Sequence, residues 1–449
     1  MERRCGETPP VPSNGESVTT KLQRIAEKAR SDPKFRFTSL FHLMDVELLR
    51  GCFASLRGDA SAGIDQVTKA QYAQELEANL ADLVDRLHRM SYHPQPVRRV
   101  YIPKPGSRKR RPIGIPALED KLVQSGLARI LGSIYEQDFI DDSYGSRPGR
   151  CAHDALRELG RDVDRGQIHY IVEADIRAFY DEVELEWLVR FLSHRIADQR
   201  VLRYIQRFLK AGIVEDGIWR ASERGVPQGG TISPILANIY LHYALDLWFE
   251  RRFRKTCRGP ARLIRYADDF VAGFHDEADA YRFQQELSER LAAFGLEVEP
   301  SKTRVLAFSP REARRARARG ERLQTFDFLG FTHYCAPTRD GTRFRVKRKT
   351  SCRRFTAKLK ALKLWLKKHR MLPTRELMAQ IQAKLRGHVA YYGVTDNTQA
   401  VQRFLYEARQ LLFKWLNRRG GRKPLRVVKF ALLMEQFPFP TPRVVVSLF

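Results

Sequence analysis

Leu263-Ile264-Arg265-Tyr266-Ala267-Asp268-Asp269-Phe270-Val271-Ala272-Gly273-Phe274 is the stretch on which the fold turns. Two short apolar runs flank a pair of adjacent carboxylates, the pattern of a β-hairpin with acids at its tip. Like charges side by side repel and raise each other's pKa, so a site that keeps both ionised usually holds a multivalent cation. An Asp-Asp pair also has a plainer explanation, since Asp hydrogen-bonds its own backbone in turns. Asp141-Asp142 illustrates it: the pair precedes the loop-rich Ser143-Tyr144-Gly145-Ser146-Arg147-Pro148-Gly149 without a second strand, so turn or cap duty suffices. The hairpin therefore needs a third acid to stand out.

That acid lies upstream. In Ile168-His169-Tyr170-Ile171-Val172-Glu173-Ala174-Asp175 a β-prone run ends in a carboxylate, and the pattern then turns helix-like through Ile176-Arg177-Ala178-Phe179-Tyr180. An Asp at the C-terminal end of a strand is well placed to hold metal. If this strand lies beside the hairpin, Asp175, Asp268 and Asp269 converge on Mg²⁺, and two such ions clamp the attacking and leaving oxygens in phosphoryl transfer.

Between them runs Gly225-Val226-Pro227-Gln228-Gly229-Gly230-Thr231-Ile232-Ser233-Pro234-Ile235-Leu236-Ala237-Asn238. Its glycines let backbone approach a ligand, and Ser233-Pro234 reads as an N-cap followed by proline in the first helical position. It is not a Walker loop, because no Gly-Lys-Ser/Thr follows. A glycine loop entering a helix is commonplace; its place between an acid-tipped strand and an acid-tipped hairpin is not.

With these three blocks in this order, the chain resembles the reverse transcriptases encoded by bacterial group II introns, the intron-encoded RT/maturases. Ala62-Gly63-Ile64-Asp65, Tyr101-Ile102-Pro103-Lys104-Pro105-Gly106 with Arg111-Pro112-Ile113-Gly114-Ile115-Pro116, and the loop from Ser143 to Arg150 resemble that family's finger motifs. Phe326-Asp327-Phe328-Leu329-Gly330-Phe331 is similar to its last palm motif, and Leu385-Arg386-Gly387-His388-Val389-Ala390-Tyr391-Tyr392 to its maturase segment. The likeness covers about residues 60 to 420.

The resemblance implies an α+β fold: a right-hand polymerase whose fingers and palm carry the acids on an antiparallel sheet, followed by a helical thumb/maturase domain. It implies an RNA-directed DNA polymerase using two Mg²⁺ ions, an RNA template, a DNA or RNA primer, deoxynucleoside triphosphates (dNTPs) and a cognate group II intron RNA. Asp175, Asp268 and Asp269 match the catalytic acids, with the backbone carbonyl of Ile176 as a further metal ligand. Residues matching Lys104 and Arg111 bind the triphosphate, Gln228 contacts the nucleotide and template region, and Lys302 matches a lysine placed to assist the leaving group. Tyr180 matches a ring beneath the sugar that excludes a 2′-hydroxyl, although an aromatic paired with Phe179 in the core is an equal reading. Departures are the acidic run Glu182-Val183-Glu184-Leu185-Glu186 and the lack of a Cys/His cluster beyond residue 420, so DNA cleavage by an endonuclease module is not expected. A host-adapted polymerase of the same descent, a binding-only splicing cofactor and an RNA polymerase are the alternatives.

Composition agrees independently. Eighty Lys plus Arg against 52 Asp plus Glu give a net charge of +28, which calls for a polyanionic partner. From Arg304 to Arg370 there are 21 basic and 4 acidic residues, with Phe344, Phe355, Leu359, Leu362, Trp365 and Leu366 interleaved, as suits a folded surface tracking phosphates. No apolar stretch reaches membrane-spanning length and the first residues lack a signal peptide's core, so a cytoplasmic protein is expected. The six cysteines are scattered, which argues against a zinc module or disulfide framework. The expected organisation is a mobile arm over 1–35, fingers over 36–165, palm over 166–335, a helical thumb/maturase domain over 336–420 and a tail over 421–449.

Overall fold

The structure, a computed structural model, describes residues 17–103, 110–221, 224–322, 324–338, 340–420 and 425–448. The chain forms two compact units. Of the described residues, the first takes those within 17–100, 112–140 and 178–243, the second those within 101–103, 110–111, 141–177 and 244–448.

In the first unit, helix Leu118–Tyr135 is the spine. Leu122, Val123, Leu127, Ile130, Leu131 and Ile134 are all fully buried, so it is apolar over far more than one stripe and takes neighbours on several sides. Helices Val18–Ser31 and Val46–Ser55 pack on it. The first of these corrects the expectation of a mobile arm for its described part: Ser17 caps the helix, Ala29 is buried, and the buried Arg195 guanidinium donates to the Ala29 carbonyl at 2.9 Å. A Pro- and Ser-rich beginning masked an amphipathic helix. A four-stranded sheet, with strands in the order Arg110–Ile115, Val97–Pro103, Ile213–Glu215 and Ile218–Arg220, completes the description.

The second unit is built on the expected antiparallel sheet, ordered Ala261–Tyr266, Asp269–Phe274, Tyr170–Ala174, Arg304–Ala307. Ile171, Ile264, Val271 and Leu306 send their side chains into a core that continues through Phe326, Phe328 and Phe331 into the helices beyond. Helix Glu277–Ala292 packs on three of the strands. After a second sheet, Phe326–Phe328, Phe331–Pro337 and Phe344–Thr350, come helices Cys352–His369, Thr374–Tyr392 and Thr398–Leu416. Their apolar stripes are Leu362 and Leu366, then Leu377, Ile381 and Leu385, then Val401, Phe404, Ala408 and Trp415, all buried, with Phe355, Leu359 and Leu411 only partly so. The expected tail is more than a tail. Val427–Gln436 is a fourth helix, Val446 bridges Val394, and Leu448 is buried. Mixed helix and antiparallel sheet followed by a helical region is the α+β architecture that the resemblance implied.

Candidate active site

Register brings the acids together. Ala174 forms the last pair of its strand with Phe270, so Asp175 follows directly beside Asp269, while Tyr266 and Asp269 close the other side of the hairpin. Only Ala267 and Asp268 remain in the turn, and Ala267 takes φ 56°, the left-handed conformation that tight two-residue turns demand. All three carboxylates therefore stand at one end of one sheet.

Their electrostatics follow from that crowding. Burial pushes the Asp269 carboxyl up to about 6, with Asp268 and Asp175 adding to the rise and Arg354 and Lys302 opposing it. The Asp268 carboxyl is also raised, first by burial and then by Asp175, against the pull of Arg111 and Arg265. Lys302, in the short helical turn Pro300–Lys302, makes an ion pair with Asp175. Among the described residues no three acidic, His or Cys side chains close around a point as a complete metal shell. Mg²⁺ does not need one: it binds through one or two carboxylates, keeping waters and substrate phosphates in its other positions. The Ile176 backbone suits such a partial shell. Its neighbours pair with the chain at Val298, Arg177 N–H donating to Glu297 and Glu299 N–H to Asp175, whereas the Ile176 carbonyl accepts no hydrogen bond among the described residues. An oxygen without a donor beside raised carboxyls fits a divalent cation.

The first unit holds Tyr180 and Gln228. Both line a cavity of about 350 Å³ together with Arg99, Pro112, Gly114 and Asp181. The glycines set its wall. Gly225 (φ 85°) and Gly229 (φ 109°) adopt backbone that side chains rarely enter, and a Cβ on Gly229 would meet the Gly114 carbonyl at 2.5 Å. Val226 N–H donates to the Tyr180 carbonyl at 2.7 Å and Gly114 N–H to the Gln228 carbonyl at 2.6 Å, tying the loop to both neighbours. Phe179 is the core aromatic, buried edge-on to Tyr240, while Tyr180 is only half-buried at the cavity. Ser233 corrects its expected role: Ile232 occupies the cap position, and the Ser233 hydroxyl donates back to the Pro227 carbonyl at 2.7 Å. Arg111 stands in strand Arg110–Ile115, and Lys104 lies outside the described residues.

Sequence reasoning missed the partners behind the acids. Asp142 is not a mere turn residue: it is buried and takes the Arg262 guanidinium on both oxygens at 2.6 and 2.8 Å. Arg265, read only as a strand residue, is wholly buried and paired with Asp246. The one available signal was the charge itself, since arginines at positions 262 and 265 of an otherwise largely apolar strand are costly unless matched.

Residues 102–333 match the family model described as reverse transcriptase (RNA-dependent DNA polymerase), and residues 352–430 match the group II intron maturase-specific domain. The chain belongs to the reverse transcriptase family. It is similar to protein YkfC of Escherichia coli (35% identical, covering 57% of this chain and 75% of that protein). It is similar also to the group II intron-encoded protein LtrA of Lactococcus lactis (36% identical, 54% of this chain and 40% of LtrA) and to an uncharacterised 91 kDa protein in the cob intron of Schizosaccharomyces pombe (33%, 52% and 29%). The chain thus spans less than half of LtrA. The class expected from the motifs, a reverse transcriptase with a maturase domain, is borne out; among the described residues no helix is long and apolar enough to cross a membrane.

Proposed function

We propose that the chain extends a primer along an RNA template with dNTPs, and that its region 352–430 binds a group II intron RNA to assist splicing and retrohoming. The observation that supports the polymerase reading is the pairing of Ala174 with Phe270 and of Tyr266 with Asp269, which leaves Asp175, Asp268 and Asp269 at one end of one sheet. In the reaction the primer 3′-hydroxyl forms a bond to the α-phosphorus, the bond to pyrophosphate breaks, and the hydroxyl proton passes to solvent. Asp175, Asp268, Asp269 and the Ile176 carbonyl are the groups to hold two divalent cations, which when bound lower the pKa of the attacking hydroxyl and neutralise charge on the phosphates. The protein's share is positioning and fixed charge. Lys104 and Arg111 carry the triphosphate's charge, Lys302 stands ready for the leaving group, Gln228 contacts the nucleotide and template region, and Tyr180 rejects the 2′-hydroxyl. Exposed Arg353, Lys360, Lys363, Lys367 and Lys368 on helix Cys352–His369 supply the counter-charge for RNA.

The test is primer extension with purified protein, Mg²⁺, a primed RNA template and the four dNTPs. Extended DNA is expected. No product under these conditions overturns the polymerase reading, and preference for ribonucleotides would redirect it to RNA synthesis.

A further inference from the structure

The peptide inside the acid turn is held from behind by a charge that the chemistry just described leaves unused. Arg265 is 0% exposed, among the largest fully buried side chains in the protein. Its Nε and Nη2 donate to the two carboxylate oxygens of Asp246 at 2.8 and 2.5 Å, and Asp246 is itself 0% exposed. That leaves Nη1, which donates to the Ala267 carbonyl at 3.0 Å. The oxygen so fixed belongs to the residue held at φ 56°, immediately before Asp268. A second restraint acts on the same residue: a Cβ on Gly145 would stand 2.2 Å from the Ala267 nitrogen, so only glycine allows this approach. Around both, Arg265 N–H donates to the Asp142 carbonyl at 2.9 Å and the Arg265 carbonyl accepts from Tyr144 N–H at 2.8 Å. Asp246 closes a π-helical stretch, His242–Asp246, a rare wide turn that is frequent at functional sites.

Stability alone does not call for this arrangement. Replacing a buried ion pair with apolar residues of similar volume is often neutral or stabilising, because the charges give up their hydration. An apolar pair, however, has no third donor for a strained carbonyl. We propose that Arg265, anchored by Asp246, is a positioning residue that fixes the Ala267 peptide and so aims the carboxylates of Asp268 and Asp269. This rests on the polymerase reading above for its catalytic consequence, but not for its structural one.

The test pairs Arg265→Met with Asp246→Leu in the full chain and compares it with Arg265→Lys. For the double variant the expected result is a thermal midpoint near wild type, a KM for dNTP within about twofold, and a kcat lower by on the order of 100-fold, the penalty typical of misplacing reacting groups by about an ångström. Hydrogen exchange, read without any turnover, should be faster at the Ala267 and Asp268 amides while strand Asp269–Phe274 stays protected. Arg265→Lys keeps the charge without the fork and should fall between the two. A folded double variant with wild-type kcat and unchanged exchange at the tip overturns the proposal. An unfolded double variant also counts against it, since the pair would then specify the fold rather than the tip. If wild type itself makes no product, the polymerase reading fails, and the exchange measurement still decides whether Arg265 holds the turn.

Discussion

The acid hairpin and the basic helix Cys352–His369 handle charge in opposite ways. At the hairpin three carboxylates are crowded, those of Asp268 and Asp269 are raised in pKa, and the Ala267 carbonyl and the Arg265 backbone are held by hydrogen bonds. Along the helix Arg353, Lys360, Lys363, Lys367 and Lys368 lie exposed, with Leu362 and Leu366 on the buried side. One region concentrates charge where a few atoms must be exact to a fraction of an ångström. The other spreads it where the sum matters. Substitutions should therefore be all-or-none in the first and graded in the second.

The largest effect is expected from Asp268→Ala, which should lower single-turnover primer extension by ~10³-fold or more, since several kcal/mol of charge stabilisation disappear. Retention of a tenth of the wild-type rate would remove Asp268 from the catalytic set. Next, the triple change Lys360→Ala, Lys363→Ala and Lys367→Ala should weaken RNA binding and flatten the dependence of log K on log salt by roughly 2, at about 0.7 per contact with a single strand. Its kcat at saturating template should not change; an unaltered salt slope would show that this face is only solvated.

Tyr180→Ala should erode discrimination against ribonucleotides by about tenfold, the usual range for filling or emptying one small pocket position. Competition between matched deoxy- and ribonucleotides measures it, and undiminished selectivity would leave Tyr180 as a packing residue. The smallest effect concerns pH. Because the folded-state pKa of Asp269 is raised to about 6, the folded chain binds a proton that the unfolded chain has lost between roughly pH 4 and 6, so the metal-free protein becomes less stable as pH rises through that window. Cation binding needs the ionised form and runs the other way. Lowering pH from 7.5 to 5.5 should raise the Mg²⁺ concentration for half-maximal extension roughly fourfold; a flat response would mean that Asp269 is already ionised or does not take part.

The same contrast explains what the sequence made legible. The hairpin was readable because two short apolar runs around an acid pair, and Asp175 at a strand end, are local patterns, and the observed pairing agrees with them. The bundle faces were readable because Leu377, Ile381 and Leu385 repeat at helical spacing. What stayed hidden depends on distant partners. Asp142 looks like any turn residue until Arg262, 120 positions away, is folded against it. Ser233 has an N-cap's chemistry, yet the Pro227 carbonyl claims its hydroxyl. Helices Val18–Ser31 and Val427–Gln436 lie next to proline-rich stretches near the two ends of the sequence, and tertiary packing decided them. Residues 178–243, expected with the palm, cluster with the first unit because helix Ser233–Leu241 packs on helices Leu118–Tyr135 and Leu185–Ser193.

The central claim is that the carboxylates of Asp175, Asp268 and Asp269 together take up the cations that polymerisation uses. Mn²⁺ uptake, followed by electron paramagnetic resonance on the chain bound to RNA with a dideoxy-terminated primer and the next complementary dNTP, measures this directly. Two tightly bound ions per wild-type complex, with loss of tight binding in Asp268→Ala, is the expected result. Equal uptake by the two proteins would contradict the account.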